Sequence, residues 1–305
     1  MTTAARLGVF VAGLLVVFAA AVGIGRATGP VGPIGPAEQT EGGREVLHAS
    51  DKHADVAGDG HDHGPEAATD LPGGLATSQG GYTLVPDHTT YRPGTRELAF
   101  RVEDADGAAV TDYDVEHDEL LHLVAVRRDF TGFQHVHPEL DAAPEDEDAG
   151  TWRVPLDLTP GSWRVFADFV PHDGDPVVLG VDLSVAGPTD LAPRAEPTRT
   201  AVVGDYEVTL DGDLTAGQHS MLSLTINRDG VPVTDLEPYL GAYGHLVALR
   251  EGDLAYLHVH PEDGEPGPSV AFDAEVPSAG RYHLYLDFRH DGVVRTAGFT
   301  VEADR

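Results

Sequence analysis

The stretch LLHLVAVRRDFTGFQHVH, residues 120–137, decides the fold. Two short apolar runs flank the turn-like RRDFTG, and neither carries a helical period. Folded as a hairpin with His122 near His137, the stretch puts His122, Val124 and Val126 on one face with Phe133, His135 and His137. Opposed Cβ atoms in such a hairpin stand about 4.5–5.5 Å apart, so imidazoles from adjacent strands converge.

The pattern is written twice. At an offset of 123 residues His122, His135, His137 and Glu139 meet His245, His258, His260 and Glu262, and DGAAVTD at 106–112 meets DGVPVTD at 229–235. After a loop shorter by four residues, GSWRVFADF at 161–169 meets GRYHLYLDF at 280–288, which matches Asp168 with Asp287. HDG at 172–174 answers HDG at 290–292. Further candidate strands are ELAFRVE, TWRVPLDL and VVLGVDLSV in the first unit, and SMLSLTIN, SVAFDAEV and VVRTAGFTV in the second. The chain is a tandem duplication whose units have the usual size of an immunoglobulin-like sandwich of two antiparallel sheets. The expected fold is all-β: two tandem immunoglobulin-like β-sandwiches at residues 80–187 and 202–305, joined by a Pro-rich linker at 188–201.

Upstream of the repeats the character changes. Leu7 to Ile24 is uncharged and apolar, flanked by Arg6 and Arg26, and has about the length a membrane-crossing helix needs. It reads as a signal anchor in residues 1–27 rather than a cleaved signal peptide, whose apolar run is shorter. The expected location is the cell membrane, single-pass, with the domains outside the cytoplasm, or secreted if the segment is cleaved. Residues 28–79 read as a disordered acidic tether, in which His48, His53, His61 and His63 stand among aspartates.

The whole chain of 305 residues carries a formal charge of −32 and no cysteine. The charge argues against nucleic acid as a partner, because phosphates need Lys and Arg, and cations are the natural partners of such a surface. Without cysteine there is no thiolate metal site and no Cys nucleophile. With Met1 and Met221 as its two methionines, the chain lacks the thioethers of a copper(I) carrier.

What remains is imidazole and carboxylate. Three histidines on one strand face in each unit, His122, His135 and His137, then His245, His258 and His260, form the recipe for a zinc or copper(II) site. Asp168 and Asp287 end apolar strands, where they would ligate metal directly, hold an imidazole N–H from behind, or cap a turn. Glu139 and Glu262 follow a proline and read as loop carboxylates; His172 and His290 read as solvent-facing turn residues. His117, matched by Leu240, and His88, His219 and His283 read as ordinary surface or packing histidines.

The sequences GYTLVPDHTTYRPGTRELAFRV, VTDYDVEHDELLHLVAVRRDFTGFQHVHPEL and GTWRVPLDLTPGSWRVFADF resemble a family of secreted or membrane-anchored bacterial heavy-metal-binding proteins, the YtkA-like proteins. In the second unit the likeness lies in GHLVALREGDLAYLHVHPE and RYHLYLDFRHDGVVRTAGFTV. The resemblance implies a β-sandwich, copper handling outside the cytoplasm, and the same two histidine triads.

The expected function is therefore binding of copper(II) or a similar divalent ion such as zinc, one site per sandwich, for sequestration, delivery or sensing. A membrane metal transporter or another cell-envelope protein would be the partner. The alternative is an immunoglobulin-like interaction module whose histidines are structural or sense pH. No hydrolase elbow, zincin helix, P-loop or dinucleotide fingerprint is present, so no enzyme is expected; a zinc hydrolase would need an open coordination position and a nearby base.

Overall fold

In the computed structural model the chain is described over residues 72–141, 148–262 and 264–305, which fall within one compact unit, Ala67–Arg305. The apolar run Leu7–Ile24 and the tether histidines lie outside the described residues, as do the side chains of His258 and His260. Among the described residues there is no helix long and apolar enough to cross a membrane, which says nothing of a β-barrel.

Each half is a sandwich of two sheets, and the strand orders match. In the first half one sheet runs Ser78–Gln79, Tyr82–Pro86, Gly94–Glu103, Thr151–Leu158, Glu139–Asp141, and the other Thr90–Tyr91, Val177–Val185, Gly161–Pro171, Leu121–Arg127, Gln134–Val136. The second half repeats this as Thr200–Val203, Tyr206–Asp211, His219–Arg228, Ser269–Glu275, His260–Pro261 against Leu214–Thr215, Val293–Asp304, Gly280–His290, His245–Arg250, Tyr256–His258. Even the parallel pairing of a two-residue strand with the last long strand recurs, Thr90–Tyr91 on Val177–Val185 and Leu214–Thr215 on Val293–Asp304. The hairpin has the expected register: Leu123 pairs with Val136 and Val124 with His135, which sets His122 opposite His137.

Period-two alternation builds the cores. Trp163, Val165, Ala167 and Phe169 point into the first sandwich with Leu121, Leu123 and Ala125, while Tyr282, Leu284, Leu286 and Phe288 point into the second with Leu246 and Ala248. The other face of the same strands is also buried. Val124, Val126 and Phe166 of the first half pack with Val247, Leu249, Leu254, Tyr256 and Tyr285 of the second in a third core between the sandwiches. Full burial of side chains of this kind stabilises by roughly 1.5–3 kcal/mol each, so these eight residues hold the halves together firmly.

The contact is isologous. Phe133 stacks on Tyr285 with centroids 3.9 Å apart, and Phe166 meets Tyr256 at 5.5 Å. Phe133 corresponds to Tyr256 and Phe166 to Tyr285 in the duplicated sequence, so the two contacts are one contact with the partners exchanged.

The stretch Pro72–Gln79, whose composition groups it with the tether, is fastened at this seam. The Tyr256 amide donates to Gly73 O at 2.9 Å and the Gly74 amide to Val178 O at 2.9 Å. Arg164 donates to the carbonyls of Gly74 and Leu75 and pairs with Asp182. Gly74, at φ +72°, is required here, because a Cβ would lie 2.3 Å from a ring carbon of Phe166.

Candidate metal centre

The outer faces that meet at the seam carry histidine and aspartate at one end. Strand pairing places His122 beside Asp168 in the first half and His245 beside Asp287 in the second. Both histidines are buried, and both are tied in the same way. His122 Nε2 donates to Glu116 O at 3.0 Å, and His245 Nε2 donates to Tyr239 O at 2.9 Å, the equivalent carbonyl of the equivalent turn. A carbonyl can only accept, so Nε2 holds the hydrogen and Nδ1 keeps its lone pair.

His135 is oriented from the opposite half. Its Nδ1 donates to Asp287 Oδ2 at 2.8 Å, and Asp287 Oδ1 in turn accepts from the Thr296 hydroxyl. Its Nε2 lies 3.2 Å from His122 Nδ1, and in the neutral form of the ring that nitrogen carries a lone pair. Two lone pairs aimed at one another repel, and a cation between them removes the conflict. Two nitrogens bound at about 2.0–2.1 Å to one tetrahedral ion stand about 3.3 Å apart, close to the separation found here.

The third ring completes the set. Ligand atoms of His122, His135 and His137 all lie within 4.8 Å of one another. His137 Nδ1 stands 3.8 Å from a Glu119 oxygen, and its Nε2 is buried without a hydrogen-bond partner. An unpaired buried nitrogen is costly in a folded protein and calls for an occupant. Burial pushes the imidazoles of His122 and His245 down to about 4 and that of His137 to about 3, which keeps them neutral, the form that binds metal.

Beside the cluster is a cavity of about 30 Å³ lined by His117, His122, His135, Asp168, His245 and Tyr256, room for about one water. Asp168 holds the Tyr256 hydroxyl, whose pKa is raised well above the ordinary value by burial and then by the Asp168 charge. His117 joins the group, its ring 5.2 Å from that of His245 and 6.1 Å from that of His122.

The residues expected from sequence are thus distributed as follows. His122, His135 and His137 come together, and His245 and Asp287, read as part of a second set with His258 and His260, lie against the first. The strand backbone places His258 opposite Val247 and His260 opposite Asp273. Glu262 and Glu139 are exposed, and His172 is an exposed turn residue held by Asp114. His290 is a correction: it is buried, bonded to the Tyr206 hydroxyl at 2.7 Å and to Asp235 at 3.2 Å, because its turn folds back on the sheet. His283 packs in the seam on Phe130 at 3.7 Å. Along the repeat His117 has Leu240 as its counterpart, which marks it as an ordinary histidine; proximity to His245 across the seam is what brings it in.

The model of a domain of unknown function, DUF8832, matches residues 76–187 and again residues 200–305. The chain belongs to the DUF8832 family. The two matched stretches are the two sandwiches, so one DUF8832 domain is one copy of the duplication. No curated protein matches the chain. Among solved structures, a DUF4426 family protein from Pseudomonas aeruginosa is 11% identical over 35% of this chain and 97% of its own, with a TM-score of 0.27. The D00–D0 domain of intimin is 9% identical over 72% of this chain and 98% of its own, with a TM-score of 0.21. Trypsin-activated alpha-2-macroglobulin from Escherichia coli is 18% identical over 76% of this chain and 16% of its own, with a TM-score of 0.24. At such scores none of them brings a function to the DUF8832 pair.

Proposed function

We propose that the tandem DUF8832 chain is a membrane-tethered, extracytoplasmic protein that binds a divalent metal ion, copper(II) in preference to zinc, for sequestration, delivery or sensing. The ion sits between the sandwiches on His122, His135 and His137, with Asp287 orienting His135 and His245 completing the surround. The observation that carries the reading is the trio of histidines whose ligand atoms lie within 4.8 Å of one another, in which His137 also has a buried nitrogen without a hydrogen-bond partner. Neutral imidazoles without thiolate or thioether suit a borderline divalent ion, and three of them leave a coordination position for water or a carboxylate. The carboxylate–imidazole pair behind His135 is the arrangement that fixes the tautomer of a ligand and raises its basicity. The apolar run Leu7–Ile24 supports the tether.

Titration of the purified protein with copper(II) and with zinc tests this. One tight equivalent that disappears in His135→Ala and in His137→Ala is the expected result. Two tight equivalents, the second lost with His258→Ala and His260→Ala, would restore one site per sandwich. No tight equivalent would leave the cluster as a proton-sensing or structural clasp of an interaction module, with His135 sharing a proton with His122.

A further inference from the structure

Next to the small cavity lies a cleft of about 350 Å³ whose walls include His117, Tyr243, Glu262, Glu265 and Ser269. His117 lines both spaces. On the outer side the cleft carries the exposed carboxylates of Glu262 and Glu265; on the inner side His117 stands beside His245 and His122. The fold does not call for an imidazole at this position. His117 occupies a left-handed turn at φ 47°, and the second half builds the same turn with Leu240 at φ 55°. The bonds that close it, Glu116 to Glu119 and Tyr239 to Ala242, are the same in both halves.

We propose that this cleft is the entrance for the cation and that His117 is the transfer residue, which takes the ion from the carboxylates and passes it to the inner imidazoles. The proposal rests on the metal-binding reading above. Carboxylates at the mouth raise the local concentration of a hydrated divalent ion and speed its capture. Exchange of water for Glu262 or Glu265 oxygen, then for His117 nitrogen, then for the nitrogens of His245 and His122 strips the hydration shell in steps. The ring-to-ring spacings of 5.2 Å to His245 and 6.1 Å to His122 set the length of the inner hand-off. His117 lies outside the trio that holds the ion at rest, so it acts on rate rather than on affinity.

The test is stopped-flow mixing of the protein with copper(II) or zinc alone, beside equilibrium titration of the same samples. The variant is His117→Leu, a side chain the equivalent turn accepts. The expected result is an equilibrium affinity within about threefold of the parent and an association rate about tenfold lower, with dissociation slowed in proportion. A double variant Glu262→Gln, Glu265→Gln should also lower the association rate and flatten its dependence on ionic strength. An unchanged association rate in His117→Leu overturns the proposal, and so does loss of the bound equivalent, which would make His117 a resting ligand. A parent protein that binds no ion refutes the metal reading itself, a failure that equilibrium titration of the parent identifies before any variant is mixed.

Discussion

His135, on the edge strand of the first sandwich, gives its Nδ1 hydrogen to Asp287, on a central strand of the second, across 2.8 Å. The two residues are 152 positions apart, and each belongs to a different copy of the duplicated domain. A ring of the proposed metal centre is thus aimed by a carboxylate that its own domain does not supply.

Removing that carboxylate should weaken metal binding without removing a ligand. Asp287→Ala is expected to lower affinity about 100-fold and Asp287→Asn about tenfold, since Asn still accepts the hydrogen bond but carries no charge. Competition against a chelator of known affinity measures both. Equal affinity in all three proteins would mean that His135 needs no support from the second sandwich.

Acid should loosen the fold within a defined window. Burial holds His122, His245 and His283 at about 4 and His137 at about 3, whereas the ordinary value is 6.5. Between those limits the unfolded chain binds protons that the folded chain does not, so stability is full above about pH 6.5 and declines as pH falls toward about 4. Urea unfolding at pH 7.5, 6 and 5 should show this slope for the metal-free protein. In His283→Phe, which keeps a ring on Phe130, the slope should be shallower; an identical slope would remove His283 from the account.

The seam has a backbone requirement that substitution can isolate. Gly74 and Gly81 both have left-handed φ, +72° and +85°, but a Cβ at Gly74 meets Phe166 at 2.3 Å while one at Gly81 meets nothing within 4 Å. Each alanine incurs about 1–2 kcal/mol for its conformation, and Gly74→Ala alone adds a clash. Gly74→Ala should therefore be the more destabilising by at least about 1 kcal/mol, the lower end for overpacking. Similar melting temperatures for the two variants would show that the N-terminal stretch is not seated in the seam.

Truncating Phe166 should do more than weaken one core. The ring is fully buried and packs on Tyr256 of the other half, so Phe166→Ala is expected to destabilise by about 3–5 kcal/mol. Because the seam also positions Asp287, the same variant should lose metal affinity although it lies outside the cluster. Wild-type affinity in a destabilised variant would separate docking of the halves from assembly of the centre.

The duplication, the long strands and the hairpin that sets His122 opposite His137 were legible in the sequence, because strand parity and a fixed offset determine them. The seam is less plain in the sequence, although its signal is present. LLHLVAV and HLVALR are nearly continuous apolar runs, and a strand apolar at successive positions is buried on both faces, where a half-exposed strand alternates. Taken one repeat at a time, the histidines fall into two sets, His122, His135 and His137 and then His245, His258 and His260, and the approach of His245 to the first set is not visible. In an isologous contact a residue of one copy faces a non-equivalent residue of the other, as His135 faces Asp287, and alignment of the copies cannot reveal such a pair. His117 is hidden for the same reason: its counterpart along the repeat is Leu240, whereas its neighbour across the seam is His245.

The exchange of partners at the seam, Phe133 with Tyr285 and Tyr256 with Phe166, is the pattern made by two identical subunits around a twofold axis. Two free subunits meet only as often as their abundance allows, and a binding site shared between them dissolves on dilution. Joined through residues 188–201, the halves face one another at an effective concentration on the order of millimolar at every expression level. A protein made in few copies can therefore keep the proposed centre assembled, and the concentration at which that centre fills is set by its affinity alone.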